Sequence, residues 1–112
     1  MRRILFAVFL VVSCAAVAAA DSIEEAESAY DRGDYTRAAQ LFRPLAEQGN
    51  ARAQNNLGVM YRDGRGVPHS DTEAIVWFRK AAEQGNAYAQ INLGVAHFIW
   101  PRQQSKEPGP GR

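Results

Sequence analysis

AEQGNARAQNNLGV, residues 46–59, returns as AEQGNAYAQINLGV at residues 82–95, an offset of 36 with 12 of 14 positions identical. The same offset pairs Ala38 with Ala74, Phe42 with Phe78 and Arg43 with Arg79. Self-similarity at a period of about 20–50 residues marks a stacked-repeat architecture, because one such unit cannot bury its apolar face alone. In each copy a glycine suits the left-handed position that ends a helix, and the next residue, Asn50 or Asn86, is a strong N-cap. Each copy therefore spans a helix end, a minimal corner and the start of the next helix. The predicted fold class is all-α, with antiparallel helix pairs stacked into a solenoid of five helices and about 2.5 repeats. In such a fold, function belongs to a surface rather than to a catalytic pocket.

Working outward, Ser22-Ile23-Glu24-Glu25 has the form of a capping box and starts a first helix, with Ala26, Ala29 and Tyr30 as its apolar face. Gly33 ends that helix and Asp34 caps the second. Ala38, Leu41, Phe42, Leu45 and Ala46 then fall at i, i+3, i+4, i+7 and i+8, one core-facing stripe. Pro44 removes a helical donor at a cost of about 3 kcal/mol and predicts a bend.

The third helix turns Ala53, Leu57, Met60 and Tyr61 inward. Gly58, inside it, costs about 1 kcal/mol relative to alanine. Its return as Gly94 predicts close approach of a neighbouring helix at both positions. Residues 64–68, GRGVP, make the longer connection, and Ser70-Asp71-Thr72-Glu73 forms a second capping box. Helix four carries Ala74, Trp77, Phe78, Ala81 and Ala82. Helix five runs from Ala87 to about Ile99 and stops before Pro101. Arg102 to Arg112 holds two Pro, two Gly and no large apolar residue, so residues 101–112 read as a disordered tail.

Residues 1–20 read as a leader that does not belong to the repeat domain, which spans 21–100. Met1-Arg2-Arg3 is a basic start, Ile4 to Val12 is an apolar run, and Ala18-Ala19-Ala20 offers small residues for cleavage before Asp21. The run is short for a bilayer span, which needs about 20 apolar residues. Val11-Val12-Ser13-Cys14 resembles a lipobox, so a lipoprotein anchored to a membrane through Cys14 stands as the alternative to a soluble periplasmic or secreted chain. Cys14 is the only cysteine, and cleavage before Asp21 leaves none for a disulfide, a thiolate nucleophile or a metal. Charge is nearly balanced, 13 basic residues against 12 acidic, and residues 21–31 contain five acids and no base. Such a distribution lacks the clustered Lys and Arg of a nucleic-acid footprint.

The stretch from Ala51 to Asn86 resembles the Sel-one-like repeat, a 36-residue relative of the tetratricopeptide repeat with the pattern AxAQxxLGxMYxxGxGVPxxxxxAxxWFxKAAxQGN. Residues 22–50 match it in shortened form, and Ala87 to about Phe98 match it as a fragment. Where the pattern expects Gly-x-Gly-Val, this chain has Trp100-Pro101-Arg102-Gln103, so the last repeat is truncated. The resemblance implies a right-handed superhelix and a non-enzymatic protein–protein interaction module, an adaptor, scaffold or exported regulator of the bacterial envelope. Two other functions remain: a remnant of a longer repeat protein with no independent partner, and a cell-wall or β-lactam-related enzyme.

Catalytic and ligand-binding motifs are weak. Arg32-Gly33-Asp34 spells a recognition tripeptide, yet the same residues end one helix and cap the next. Gly64-Arg65-Gly66 lacks the Gly-Lys-Ser/Thr of a phosphate loop and reads as a turn needing positive φ. His69 and His97 have no metal-ligand spacing, and His97 takes the place of Tyr61 as a half-buried packing residue. Glu47 and Glu83 recur one repeat apart, unlike the facing carboxylates of a glycosidase. No catalytic residue, cofactor or metal is expected.

The candidate binding surface lies where the two copies differ. Arg52 becomes Tyr88 and Asn55 becomes Ile91, three residues apart on one helical face. Val59 matches Val95, and Arg62 becomes Phe98. Arg52, Asn55, Val59 and Arg62 thus form a polar outer strip, whereas Tyr88, Ile91, Val95 and Phe98 form an apolar one. First helices line the inner, concave side in related solenoids, so the strip resembles a groove wall that takes a protein partner or, by self-association of the last helix, another copy.

Overall fold

A computed structural model describes residues 22–106, with side chains as far as Ile99. The leader expected over 1–20 and the tail residues 107–112 lie outside the described residues. Within them are five helices and no strand: α1 over 22–31, α2 Tyr35–Glu47, α3 Ala51–Asp63, α4 Asp71–Glu83 and α5 Ala87–Lys106. α2 packs on α3, α3 on α4 and α4 on α5, the serial contact expected of a repeat array. The chain is an all-α repeat solenoid.

Both short corners form as the sequence dictates. Gly49 and Gly85 adopt φ of 99° and 92°, a region that L side chains avoid. Immediately afterwards the Asn50 Oδ1 accepts a hydrogen bond from the Ala53 amide at 2.9 Å, and Asn86 does the same for Ala89. Ser70 caps α4 by accepting from the Glu73 amide, but the box is one-sided: the Ser70 amide instead donates to the Tyr61 carbonyl. Asp34 occupies the N-cap position of α2 without a side-chain cap bond, because its backbone (φ −84°, ψ 70°) lies outside the extended conformation of Asn50 and Ser70.

The core is one stripe from each helix. Ala26, Ala38, Phe42, Ala53, Leu57, Met60, Phe78, Ala81 and Ala89 are at most 1% exposed. Alanine is the commonest of these buried residues and is small enough to let helix backbones approach, while Phe42 and Phe78 are the largest fully buried side chains. The Trp77 indole is buried too, and its Nε1 has no hydrogen-bond partner among the described residues. Lys80 sits over that ring, 4.7 Å from its centroid.

The 64–68 connection ties the first repeat to the second. Arg65 donates to the Tyr30 hydroxyl at 3.2 Å and lies over the Tyr35 ring, itself edge-on to Tyr30. Those tyrosines raise its pKa above the ordinary arginine value, the Tyr30 hydrogen bond most of all. Gly66 has φ 73°, and a Cβ there would lie 2.2 Å from the Tyr35 carbonyl oxygen, so only glycine lets the loop close on α2.

α2 runs through Pro44 to Glu47, and the Pro44 carbonyl accepts from the Gln48 amide. Two expectations need correction. α5 passes Pro101 and ends at Lys106. Proline removes one donor, but Arg102, Gln103, Gln104, Ser105 and Lys106 contain no breaker, and the basic residues suit a helix C-terminus. His97 is exposed rather than half-buried, because no described helix lies against that side of α5.

Candidate interaction surface

α1, α3 and α5 lie side by side. Glu27 of α1 pairs with Arg52 and accepts a hydrogen bond from Asn56, both on α3. Asn92 of α5 donates to the Asn55 Oδ1 of α3 at 2.9 Å and accepts from Arg62. Gln84, just beyond α4, donates to the Oε1 of buried Gln54, whose own amide group donates to the Ala46 carbonyl. These polar contacts between repeats fix the register of stacking.

They also divide the strip read from the sequence. Arg52 and Arg62 are exposed and ion-paired, the latter with Asp63, while Val59 is half-buried. Asn55 is 8% exposed and does not belong to an outer surface. Its position is where one first helix meets the next, and α5 covers it. On α5 the equivalent position is Ile91, 64% exposed, beside Tyr88 at 74%, Val95 at 47% and Phe98 at 62%. The four apolar residues do share one exposed face. A contiguous apolar area of this kind marks an interaction site more often than chance placement.

The sequence reading missed a pair of hollows between successive first helices. One, of about 300 Å³, lies between α1 and α3 over Phe42 and is lined by Glu27, Tyr30, Asp31, Asn56 and Val59. The second, about 220 Å³, lies between α3 and α5 over Phe78, with Arg62, Asn92, Val95 and Ile99 among its walls. Phe42 and Phe78, Asn56 and Asn92, and Val59 and Val95 are each 36 residues apart, so the repeat offset was the signal for both. The first hollow has an acidic rim. The second carries Arg62 and the His69–Asp71 pair, with Nε2 to Oδ1 at 3.3 Å.

Glu47 and Glu83 are exposed, as are Arg32, Gly33 and Asp34, and Arg32, just past the end of α1, donates back to the Ser28 hydroxyl. Among the described residues no group of three or more His, Cys, Asp or Glu could hold a metal. No described helix is long and apolar enough to cross a membrane.

Comparison with known proteins agrees with the geometry. The Sel1 repeat family model matches residues 26–50, 51–86 and 87–99, more than half of the chain. The crystal structure of a Sel1 repeat protein from Oxalobacter formigenes superposes with a TM-score of 0.63 at 38% identity, over 69% of this chain. The chain spans about a third of that protein, 33% of its length. No curated protein matches the chain in sequence. Repeat matches along most of the described helices, on a fold shared with a Sel1 repeat protein, show that the chain belongs to the Sel1 repeat family.

Proposed function

We propose that this chain is a non-enzymatic protein-binding module, an adaptor or scaffold that works in the bacterial cell envelope after export and removal of residues 1–20. Sel1 repeats generally mediate protein–protein interaction, and theirs is a non-catalytic repeat fold. The observation that carries the reading is the exposed apolar face of α5, formed by Tyr88, Ile91, Val95 and Phe98. Soluble domains seldom leave several large apolar side chains together in water without a partner for them.

The test is a crosslinking pull-down from the native envelope fraction, comparing the unaltered chain with Tyr88→Ser/Ile91→Asn. That double variant gives α5 side chains of the polarity found on α3. A folded double variant should lose its crosslinked protein, and the intact mass of the unaltered chain should place the mature terminus at Asp21. Equal capture by both chains would remove α5 as the binding surface, and a cytoplasmic species retaining Met1 would remove the envelope role.

A further inference from the structure

We infer that the protein taken by the apolar face of α5 is a second copy of this chain, docked antiparallel about a twofold axis near Leu93 and Gly94. The inference rests on the reading of α5 as a binding surface and names its occupant.

Spacing is the first argument. Tyr88, Ile91, Val95 and Phe98 fall at i, i+3, i+7 and i+10, the alternating three-and-four spacing of a helix-pairing seam. That seam is nearly symmetric about its middle. Turned end for end, Tyr88 of one copy meets Phe98 of the other, and Ile91 meets Val95. Among the described residues, nothing beyond the backbone of α5 itself packs within 4 Å of where a Cβ on Gly94, near the centre, would be, so a second backbone can come close there.

Charge is the second. From Ala87 to Ile99 there is no Asp, Glu, Lys or Arg, so a twofold pairing brings no like charges together along the seam. Head-to-tail stacking, with α5 against α1 of the next copy, fails on the same criterion. The exposed residues of α1 include Glu24, Glu25, Ser28 and Asp31, and covering carboxylates with an apolar strip costs more than it returns. α1 and α5 do not complement each other, whereas α5 complements itself. A self-complementary patch makes a closed dimer; a head-to-tail contact that does not close makes a filament.

Area is the third. Tyr88, Ile91, Val95, Phe98 and Ile99 are between 42% and 74% exposed. Together they offer roughly 600 Å² per copy, somewhat below the ~800 Å² per partner of a standard interface. That amount fits a reversible dimer rather than a permanent one.

Sedimentation velocity on the purified full chain, from about 1 to 200 μM, reads the equilibrium directly. The expected result is a single monomer–dimer transition in the micromolar range. Ile91→Asn should weaken it at least tenfold with the helical circular dichroism unchanged. If that variant does not fold, Tyr88→Ser at the more exposed end of the seam reads the same equilibrium. Gly94→Cys with a short bis-maleimide, mapped by mass spectrometry, should join two chains at position 94. A link within one chain from position 94 to Cys14 would show that the leader covers the seam, and would overturn the dimer. So would open-ended oligomers, or a dimer indifferent to Ile91→Asn. A chain monomeric at every concentration, whose strip variant still loses its envelope partner, overturns self-pairing while the interaction reading stands. If capture is also unaffected, both fall.

Discussion

α3 and α5 begin with nearly the same residues, ARAQNNLGV and AYAQINLGV, and finish in different surroundings. Leu57 is fully buried, whereas its equivalent Leu93 is half-buried. Tyr61 is half-buried and accepts a hydrogen bond from Arg43, whereas His97 in the same place is exposed. The sharpest contrast is at the shared glycine. A Cβ on Gly58 would lie 2.6 Å from Cε1 of the Phe78 ring; among the described residues, a Cβ on Gly94 would meet nothing within 4 Å. Local sequence sets the same cap and the same helix in both. Burial is decided by the helix that follows, and among the described residues α4 follows α3 while nothing follows α5. That is how a quasi-one-dimensional array distributes its stability, by intrinsic repeat terms and nearest-neighbour interfaces.

Phe78→Ala is the substitution expected to break this contrast most completely. The ring is fully buried, seals Gly58 and floors the hollow between α3 and α5. Truncating a buried phenylalanine costs about 3–5 kcal/mol, comparable to the whole stability of a small domain. Urea denaturation followed by circular dichroism should show the cooperative transition lost or moved to much lower denaturant. A change below ~1 kcal/mol would mean that this ring is not what separates the surroundings of α3 from those of α5.

The signals that could be read in advance were those confined to a few residues. Gly49-Asn50 and Gly85-Asn86 spell their corners. What the chain hides are contacts between elements. Asn55 reads as an outer polar residue, because only the stacked α5 brings Asn92 within hydrogen-bond distance and covers it. Gly94 copies the residue type of Gly58 without the ring that accounts for it. Asp34 has the right side chain for a cap, but the backbone of the Gly33 turn leaves its carboxylate without the cap bond. The paired hollows stayed hidden for a different reason. Their floor and walls come from three helices apiece, and only the 36-residue offset connects them.

Gly58→Ala should act in the opposite direction from an ordinary helical glycine replacement. The new methyl group would press on Cε1 and Cδ1 of Phe78, 2.6 and 2.7 Å away, with the Ala74 carbonyl oxygen at 3.3 Å. Overpacking of this kind costs about 1–3 kcal/mol, and the gain in helix propensity returns about 1 kcal/mol of it. The midpoint of urea unfolding should fall. A rise would show that the Phe78 ring moves aside freely, which would weaken the case that α4 seals α3.

Gly94→Ala carries the smallest expected effect and the clearest sign. Among the described residues of one copy nothing lies near the new methyl group, so the intrinsic preference of the helix decides, about 0.5–1 kcal/mol in favour of alanine. Measured at about 1 μM, below the proposed dimer range, α5 should resist heat and urea better than in the unaltered chain. At higher concentration the same methyl group stands at the proposed twofold axis and holds the two backbones apart. The dimer should therefore weaken while the monomer gains. Opposite shifts in the two measurements separate a helix that is merely open from a helix that is open because a second copy belongs there. If Gly94→Ala destabilises the chain even when dilute, position 94 is covered within the monomer, and the contrast with Gly58 is smaller than the structure makes it.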